Sequence, residues 1–127
     1  MSQPITVLIA DDHEDIRSFL RVLLESKGFS VIEAPDGEKA VAMVRQKCPD
    51  LILMDLKMPK LDGLAAAEKI WEVKGQCEDV PIVALTGSDT PEMKAAALAA
   101  GFSDYVVKPI DQGEMEPVLQ RLFPLSF

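Results

Sequence analysis

The sequence predicts an α/β fold built on a five-stranded parallel sheet, and two observations predict it. Short apolar runs alternate with amphipathic stretches five times along 127 residues, which calls for a sheet covered by helices on both faces and joined by right-handed crossovers. Four of those runs lead into chemically active side chains: Asp11 with Asp12, Asp55, Thr86 and Lys108. In a parallel sheet the carboxyl ends of the strands share one edge, and ligands bind there.

Leu51-Ile-Leu-Met-Asp-Leu-Lys-Met-Pro59 is the stretch on which the rest is organised. Its apolar start reads as a short, fully buried strand that delivers Asp55 to its carboxyl end before the proline breaks it. Ile5 to Ala10 reads as the first strand, ending in Asp11-Asp12. Ile16, Phe19, Leu20, Leu23 and Leu24 then follow the helical template as an inner stripe, with Gly28 in C-cap position. Phe29 to Ala34 gives the second strand, Pro35-Asp36-Gly37 a turn with an N-cap, and Ala40, Val41 and Val44 the second helix, closed by Pro49.

After the central strand, Leu64, Ala67, Ile70 and Trp71 mark a third helix to about Lys74, ended by Gly75. Pro81 to Leu85 is the fourth strand, followed by Thr86-Gly87-Ser88. Thr90-Pro91 supplies an N-cap with proline at the first helical position. The fourth helix, Glu92 to Ala100, is mostly alanine: its helix propensity is high, but it has little side-chain area to bury and is expected to be held loosely. Asp104 to Val107 is the fifth strand, leading to Lys108-Pro109. Met115, Val118, Leu119 and Leu122 line the last helix, and Pro124 ends it.

The length fits one domain over residues 1–127. Hydrophobic residues at 48% and charged ones at 27% are ordinary for a chain that folds by itself. A net charge of -8 without a basic run argues against nucleic acid as partner. No stretch reaches membrane-spanning length and no signal pattern precedes Ile5, so the expected location is the cytoplasm. Cys48 and Cys77 are far apart, without a CxxC pair or ligand histidines, and are expected to be reduced.

The strand ends form a constellation. Carboxylates from Asp11, Asp12 and Asp55 within about 5 Å repel by roughly 3 kcal/mol per pair at an effective dielectric near 20, so they want a cation. Oxygen-only ligands point to Mg²⁺ or another hard divalent ion such as Mn²⁺. Lys108 can contact an anion held between them, and Thr86 offers a hydroxyl. Metal, carboxylate nucleophile, lysine and hydroxyl around one point make a phosphoryl-transfer site with Asp55 as acceptor.

With these residues in hand, the chain resembles the receiver domains of two-component response regulators, in particular the single-domain, chemotaxis-regulator type, from Ile5 to about Phe123. The match rests on Asp11-Asp12 after the first strand, Asp55 in Leu-Met-Asp-Leu-Lys-Met-Pro, Gly63 in Leu-Asp-Gly, Thr86 in Leu-Thr-Gly, Tyr105, and Lys108-Pro109 in Val-Val-Lys-Pro. Each alone is a weak signal; all in order at successive strand ends are specific. The resemblance implies a doubly wound, flavodoxin-like (βα)5 sheet of order 2-1-3-4-5, with strands one and three at the switch point.

It further implies that Asp55 takes phosphate from a phosphohistidine of a histidine kinase or histidine phosphotransfer protein. Asp12, Asp55 and the Lys57 backbone carbonyl would hold Mg²⁺ directly and Asp11 through water. Thr86 and Lys108 would grip the phosphoryl oxygens, and the Lys108-Pro109 bond would be cis. Lys57 and Gly87 occupy positions that tune access of water to the phosphoryl group. Thr86 and Tyr105 would form the switch, changing a surface of helix four, strand five and helix five that binds a downstream protein, in a monomer or a phosphorylation-dependent dimer. Such a protein catalyses only its own phosphorylation and dephosphorylation, and no turnover substrate is expected.

Other readings stay open at this point. Alone, Asp11 or Asp12 would cap the first helix, Thr86 would be a turn residue, Lys108 a solvated charge and Tyr105 an ordinary strand aromatic. His13 has no ligand partners in its spacing and is assigned no role. Ile16 and Ile110 are candidate apolar contacts for the donor, although Ile16 also fits the core stripe. The chain could be a stand-alone receiver or one excised from a hybrid kinase or longer regulator. A haloacid-dehalogenase-like phosphatase would need a second acid two residues after Asp55, where this chain has Lys57. A flavin or nucleotide carrier would need a glycine-rich or hydroxyl-rich loop in place of the acidic one after the first strand.

Overall fold

The fold is seen in a computed structural model that describes residues 5–58, 62–73, 80–87, 90–108, 110 and 112–122. In chain order the elements are β1 (Thr6–Ala10), α1 (Glu14–Ser26), β2 (Ser30–Ala34), α2 (Gly37–Gln46), β3 (Leu51–Asp55), α3 (Gly63–Val73), β4 (Ile82–Thr86), α4 (Pro91–Ala99), β5 (Asp104–Val107) and α5 (Gln112–Leu122). The five strands form one sheet of order β2-β1-β3-β4-β5, all parallel. This is the flavodoxin-like order expected.

Alternating residues of each strand serve two cores, because successive side chains point to opposite faces. Leu8, Ile52, Met54 and Ile82 pack with α2 and α3 through residues such as Val41, Val44 and Ile70. Val7, Ile9, Leu53 and Leu85 pack on the other face with Leu20 and Leu24 of α1 and Met115 and Leu119 of α5. With both faces covered, the central strands are buried throughout. Lys27 at the end of α1 reaches Glu116 of α5 at 2.8 Å, tying the two helices on that face together.

Helix starts and stops follow local chemistry. Asp36 caps α2 by accepting from the Lys39 amide at 2.8 Å. Thr90 caps α4 by accepting from the Met93 amide at 3.2 Å, with Pro91 at the first helical position. Gly28 leaves α1 at φ +92°, a left-handed turn that glycine adopts without cost.

Two expectations need correction. Phe19 is not part of the inner stripe of α1: it is 43% exposed. It lies one residue, about 100°, round the helix from the buried Leu20, and the stripe that meets the sheet is only wide enough for Leu20, Leu23 and Leu24, with Ile16 partly buried beside them. Cys48 is not a free thiol but is disulfide-bonded. It follows α2, which packs against α3, and meetings between segments distant in the chain are invisible to spacing rules. Cys77, Gly75, Pro109 and Pro124 lie outside the described residues, so the expected cis bond at Pro109 does too.

The alanine-rich α4 behaves as its composition dictates. Ala97 is the residue it buries, helped by the partly buried Met93 and Ala100 against the core, while Leu98 stays 62% exposed.

Candidate functional site

The carboxyl edge of the sheet gathers the predicted side chains. β1 ends at Ala10, whose successor Asp11 keeps its amide on the Ala34 carbonyl of β2 at 3.1 Å. β3 ends at Asp55, paired in register with Leu85 of β4. β4 ends at Thr86, whose carbonyl accepts from the Lys108 amide at 2.7 Å, so the ends of β4 and β5 are laid side by side. A cavity of 250 Å³ opens over this edge, with Asp55, Thr86, Gly87 and Lys108 among its walls.

Asp11 is fully buried, Asp55 and Thr86 nearly so. Lys108 Nζ lies 3.1 Å from Asp11 Oδ2 and 3.2 Å from Asp55 Oδ2. These are ion-pair distances, but neither oxygen receives a hydrogen bond of acceptable direction. One ammonium thus serves two buried acids, an excess of negative charge that is costly unless another cation joins them. Burial pushes the Asp55 carboxyl above its ordinary value, and the Asp11 charge pushes the same way; the Lys57 amide, 3.2 Å from Asp55 Oδ1, and Lys108 oppose them.

Carboxylate oxygens of Asp11, Asp12 and Asp55 and a ring nitrogen of His13 lie within 4.8 Å of one another. The acid spacing expected from sequence is met, and the orphaned buried oxygens fit a divalent cation. Asp12 is the more exposed acid, with a third of its side chain accessible. Lys57 is exposed, its amide turned to Asp55. A side chain added at Gly87 would meet nothing within 4 Å, so that wall of the cavity stands open.

Tyr105 is not at this site. It lies half-buried on β5 facing a broader groove of 490 Å³ between α4, β5 and α5. Lys94 of α4 sits over its ring at 5.0 Å, within cation–π range. Arg121 of α5 is paired with Asp104 at the same groove.

Two residues at the acid edge were not legible beforehand. His13 Nδ1 is 2.9 Å from Asp11 Oδ1 and 3.1 Å from Asp12 Oδ1, and its bond to Asp11, with the charges of Asp12 and Asp11, raises its pKa above the ordinary value. Arg17 donates from Nη1 to the Asp11 carbonyl at 2.7 Å and from Nε to Glu33 at 3.0 Å, bracing the acidic loop against β2. The signal for Arg17 was its place one turn into α1 on the side of the loop; for His13 there was only its adjacency to the acids.

With the geometry described, comparison with known proteins decides the family. Residues 7–120 match the response regulator receiver domain. The chain belongs to that family. This receiver is 35% identical over 106 residues to the CAI-1 autoinducer sensor kinase/phosphatase CqsS of Vibrio cholerae, a match that covers 84% of the chain and 16% of the kinase. It is 39% identical over 125 residues to the probable transcriptional regulator ycf27 of Guillardia theta, covering 95% of the chain and 48% of that protein. The chain therefore spans about half or less of these relatives.

Among solved structures, the chemotaxis protein CheY4 of Vibrio cholerae superposes with TM-score 0.88 at 30% identity, covering 94% of this chain and 99% of that one. The receiver domain of sensor histidine kinase PA1611 from Pseudomonas aeruginosa, with a magnesium ion coordinated in its active-site cleft, gives 0.84 at 32% identity, covering 94% and 98%. The receiver of Ssk1 from Saccharomyces cerevisiae, crystallised with the phosphotransfer protein Ypd1, gives 0.88 at 30% identity, covering 96% and 90%. The protein is thus a receiver domain of two-component signalling, a family of switches. Among the described residues no helix is long and apolar enough to cross a membrane.

Proposed function

We propose that Asp55 is the phosphoacceptor of this receiver, and that Asp12, Asp55 and the Lys57 carbonyl hold Mg²⁺ or Mn²⁺, with Asp11 acting through water. The observation that carries this reading is the pair of buried carboxylates, Asp11 and Asp55, whose oxygens share one lysine ammonium at the mouth of a cavity. When bound, the cation supplies positive charge for the phosphoryl oxygens. An Asp55 oxygen attacks the phosphorus of a phosphohistidine whose other ring nitrogen is protonated; the P–O bond forms, the P–N bond breaks, and the ring leaves as neutral imidazole. Lys108 turns from the acids to the transferred group, and the Thr86 hydroxyl donates to one of its oxygens.

The output reading continues from Thr86. Drawing Thr86 toward the phosphoryl group vacates space beside β5 into which Tyr105 turns, and the surface of α4, β5 and α5 changes for a downstream protein. The sparse burial of α4 supports it as the element that yields. Donors are a histidine kinase or histidine phosphotransfer protein, in keeping with the Ssk1 receiver's complex with Ypd1. Residues 1–127 act as one receiver domain, without a turnover substrate, as a monomer that dimerises if at all on phosphorylation. It works in the cytoplasm.

The test is labelling by a small phosphodonor followed by intact mass. The wild type should gain one phosphoryl group only with Mg²⁺ present, and Asp55→Asn, nearly the same shape without the nucleophilic oxygen, should gain none. Stoichiometric labelling of the mutant would remove Asp55 from this role.

A further inference from the structure

His13 is the N-cap of α1, yet its side chain makes no bond to the helix amides. The ring turns back over the acids, with Nδ1 at 2.9 Å from Asp11 Oδ1 and 3.1 Å from Asp12 Oδ1. These contacts are a hydrogen bond and an ion pair, and they hold Nδ1 within 4.8 Å of carboxylate oxygens of Asp11, Asp12 and Asp55. An acid cluster alone does not make a site. The independent observation is that Asp11 Oδ2 and Asp55 Oδ2, on residues 0% and 4% exposed, are buried and share a single ammonium, that of Lys108, at 3.1 and 3.2 Å.

We propose that His13 Nδ1 is a nitrogen ligand of this site and gives it a preference for first-row transition cations over Mg²⁺. The proposal rests on the reading that the acids hold a divalent ion, and deepens it. Carboxylate and carbonyl oxygens suit Mg²⁺ and Mn²⁺ alike, whereas imidazole adds affinity along the series from Mn²⁺ to Co²⁺ and Ni²⁺ and does little for Mg²⁺. The His13 side chain is 59% exposed, so the ring can adjust to an ion without disturbing the core. Nδ1 donates to Asp11 Oδ1 in the metal-free protein, and its lone pair becomes available to a cation when that proton is released.

Calorimetric titration of the 127-residue chain with Mg²⁺ and separately with Co²⁺ tests this in the wild type, His13→Ala and His13→Ser, the last restoring a capping side chain so that helix fraying is controlled. Both variants should weaken Co²⁺ by about tenfold or more and leave Mg²⁺ within about twofold. Pulsed electron paramagnetic resonance of the Mn²⁺-loaded wild type should show coupling to an imidazole nitrogen that disappears in both variants. Equal losses for the two cations, an unchanged Co²⁺ affinity, or absence of nitrogen coupling in the wild type would overturn the proposal. A wild type that binds Mg²⁺ but ignores the His13 change defeats the nitrogen ligand alone; one that binds neither cation defeats the metal reading of the acids as well.

Discussion

An added Cβ on Gly63 would fall 2.2 Å from the carbonyl oxygen of Asp55 and 2.8 Å from Leu56 Cα. The first residue of α3 therefore rests directly on the backbone that carries the proposed acceptor, and what it would strike is main chain, which cannot rotate away. Gly63→Ala should cost about 3 kcal/mol in urea denaturation, at the upper end of overpacking penalties, and should slow phosphorylation by shifting Asp55. A variant as stable as wild type would mean that the α3 start can lift off β3 freely.

Lys108 is the shared counter-charge of Asp11 and Asp55, and its side chain is 17% exposed. Lys108→Ala should lower stability without metal by about 2 to 3 kcal/mol, less than for a dry buried pair because the cavity admits water. Saturating Mg²⁺ should return more stability to this variant than it adds to the wild type. Equal Mg²⁺-driven gains in thermal unfolding would show that lysine and cation do not share the same acids.

Asp12 is a third exposed and so feels its neighbours through water. Asp12→Ala should abolish Mg²⁺ affinity in calorimetry while raising metal-free stability by less than about 1 kcal/mol. Loss of the fold, or unchanged Mg²⁺ binding, would contradict its place among the ligands.

Thr86→Ala should still take up phosphate at Asp55, but lose most of the phosphorylation-dependent change in amide exchange across residues 86 to 107. Wild-type exchange changes in the fully phosphorylated variant would disconnect Thr86 from Tyr105.

Ile110 and Ile16 are both partly buried against the core that α1 and α5 share. Ile110→Glu should slow transfer from a histidine-phosphotransfer protein and spare transfer from a small donor. Matching losses for both donors would place its effect inside the domain.

Much of this fold could be read along the chain because its signals are local. Asp36 and Thr90 announce helix starts by their own chemistry, and the run from Leu51 to Asp55 is apolar until it meets the acid. Phe19 was misplaced because one step round a helix decides between core and solvent, and a stripe drawn from spacing does not show how wide the facing groove is. Cys48, Arg17 and His13 were missed for a common reason: each acts on a neighbour brought by folding or by the direction of a side chain. Charge spacing led to Asp11, Asp12 and Asp55, whereas the turn of the His13 ring toward them had no trace in composition or period.

Tyr105 is the single tyrosine of the chain, and its phenol lies under the Lys94 ammonium in the groove beside α5. The receiver therefore carries a built-in spectroscopic reporter. A sample grown on 3-fluorotyrosine would give one fluorine resonance per conformer, free of overlap, and its shift would follow the ring as it leaves the cation's field. Under the proposed switch, the ratio of those lines would measure how far the domain stands between its two states, with no added dye and no mutation.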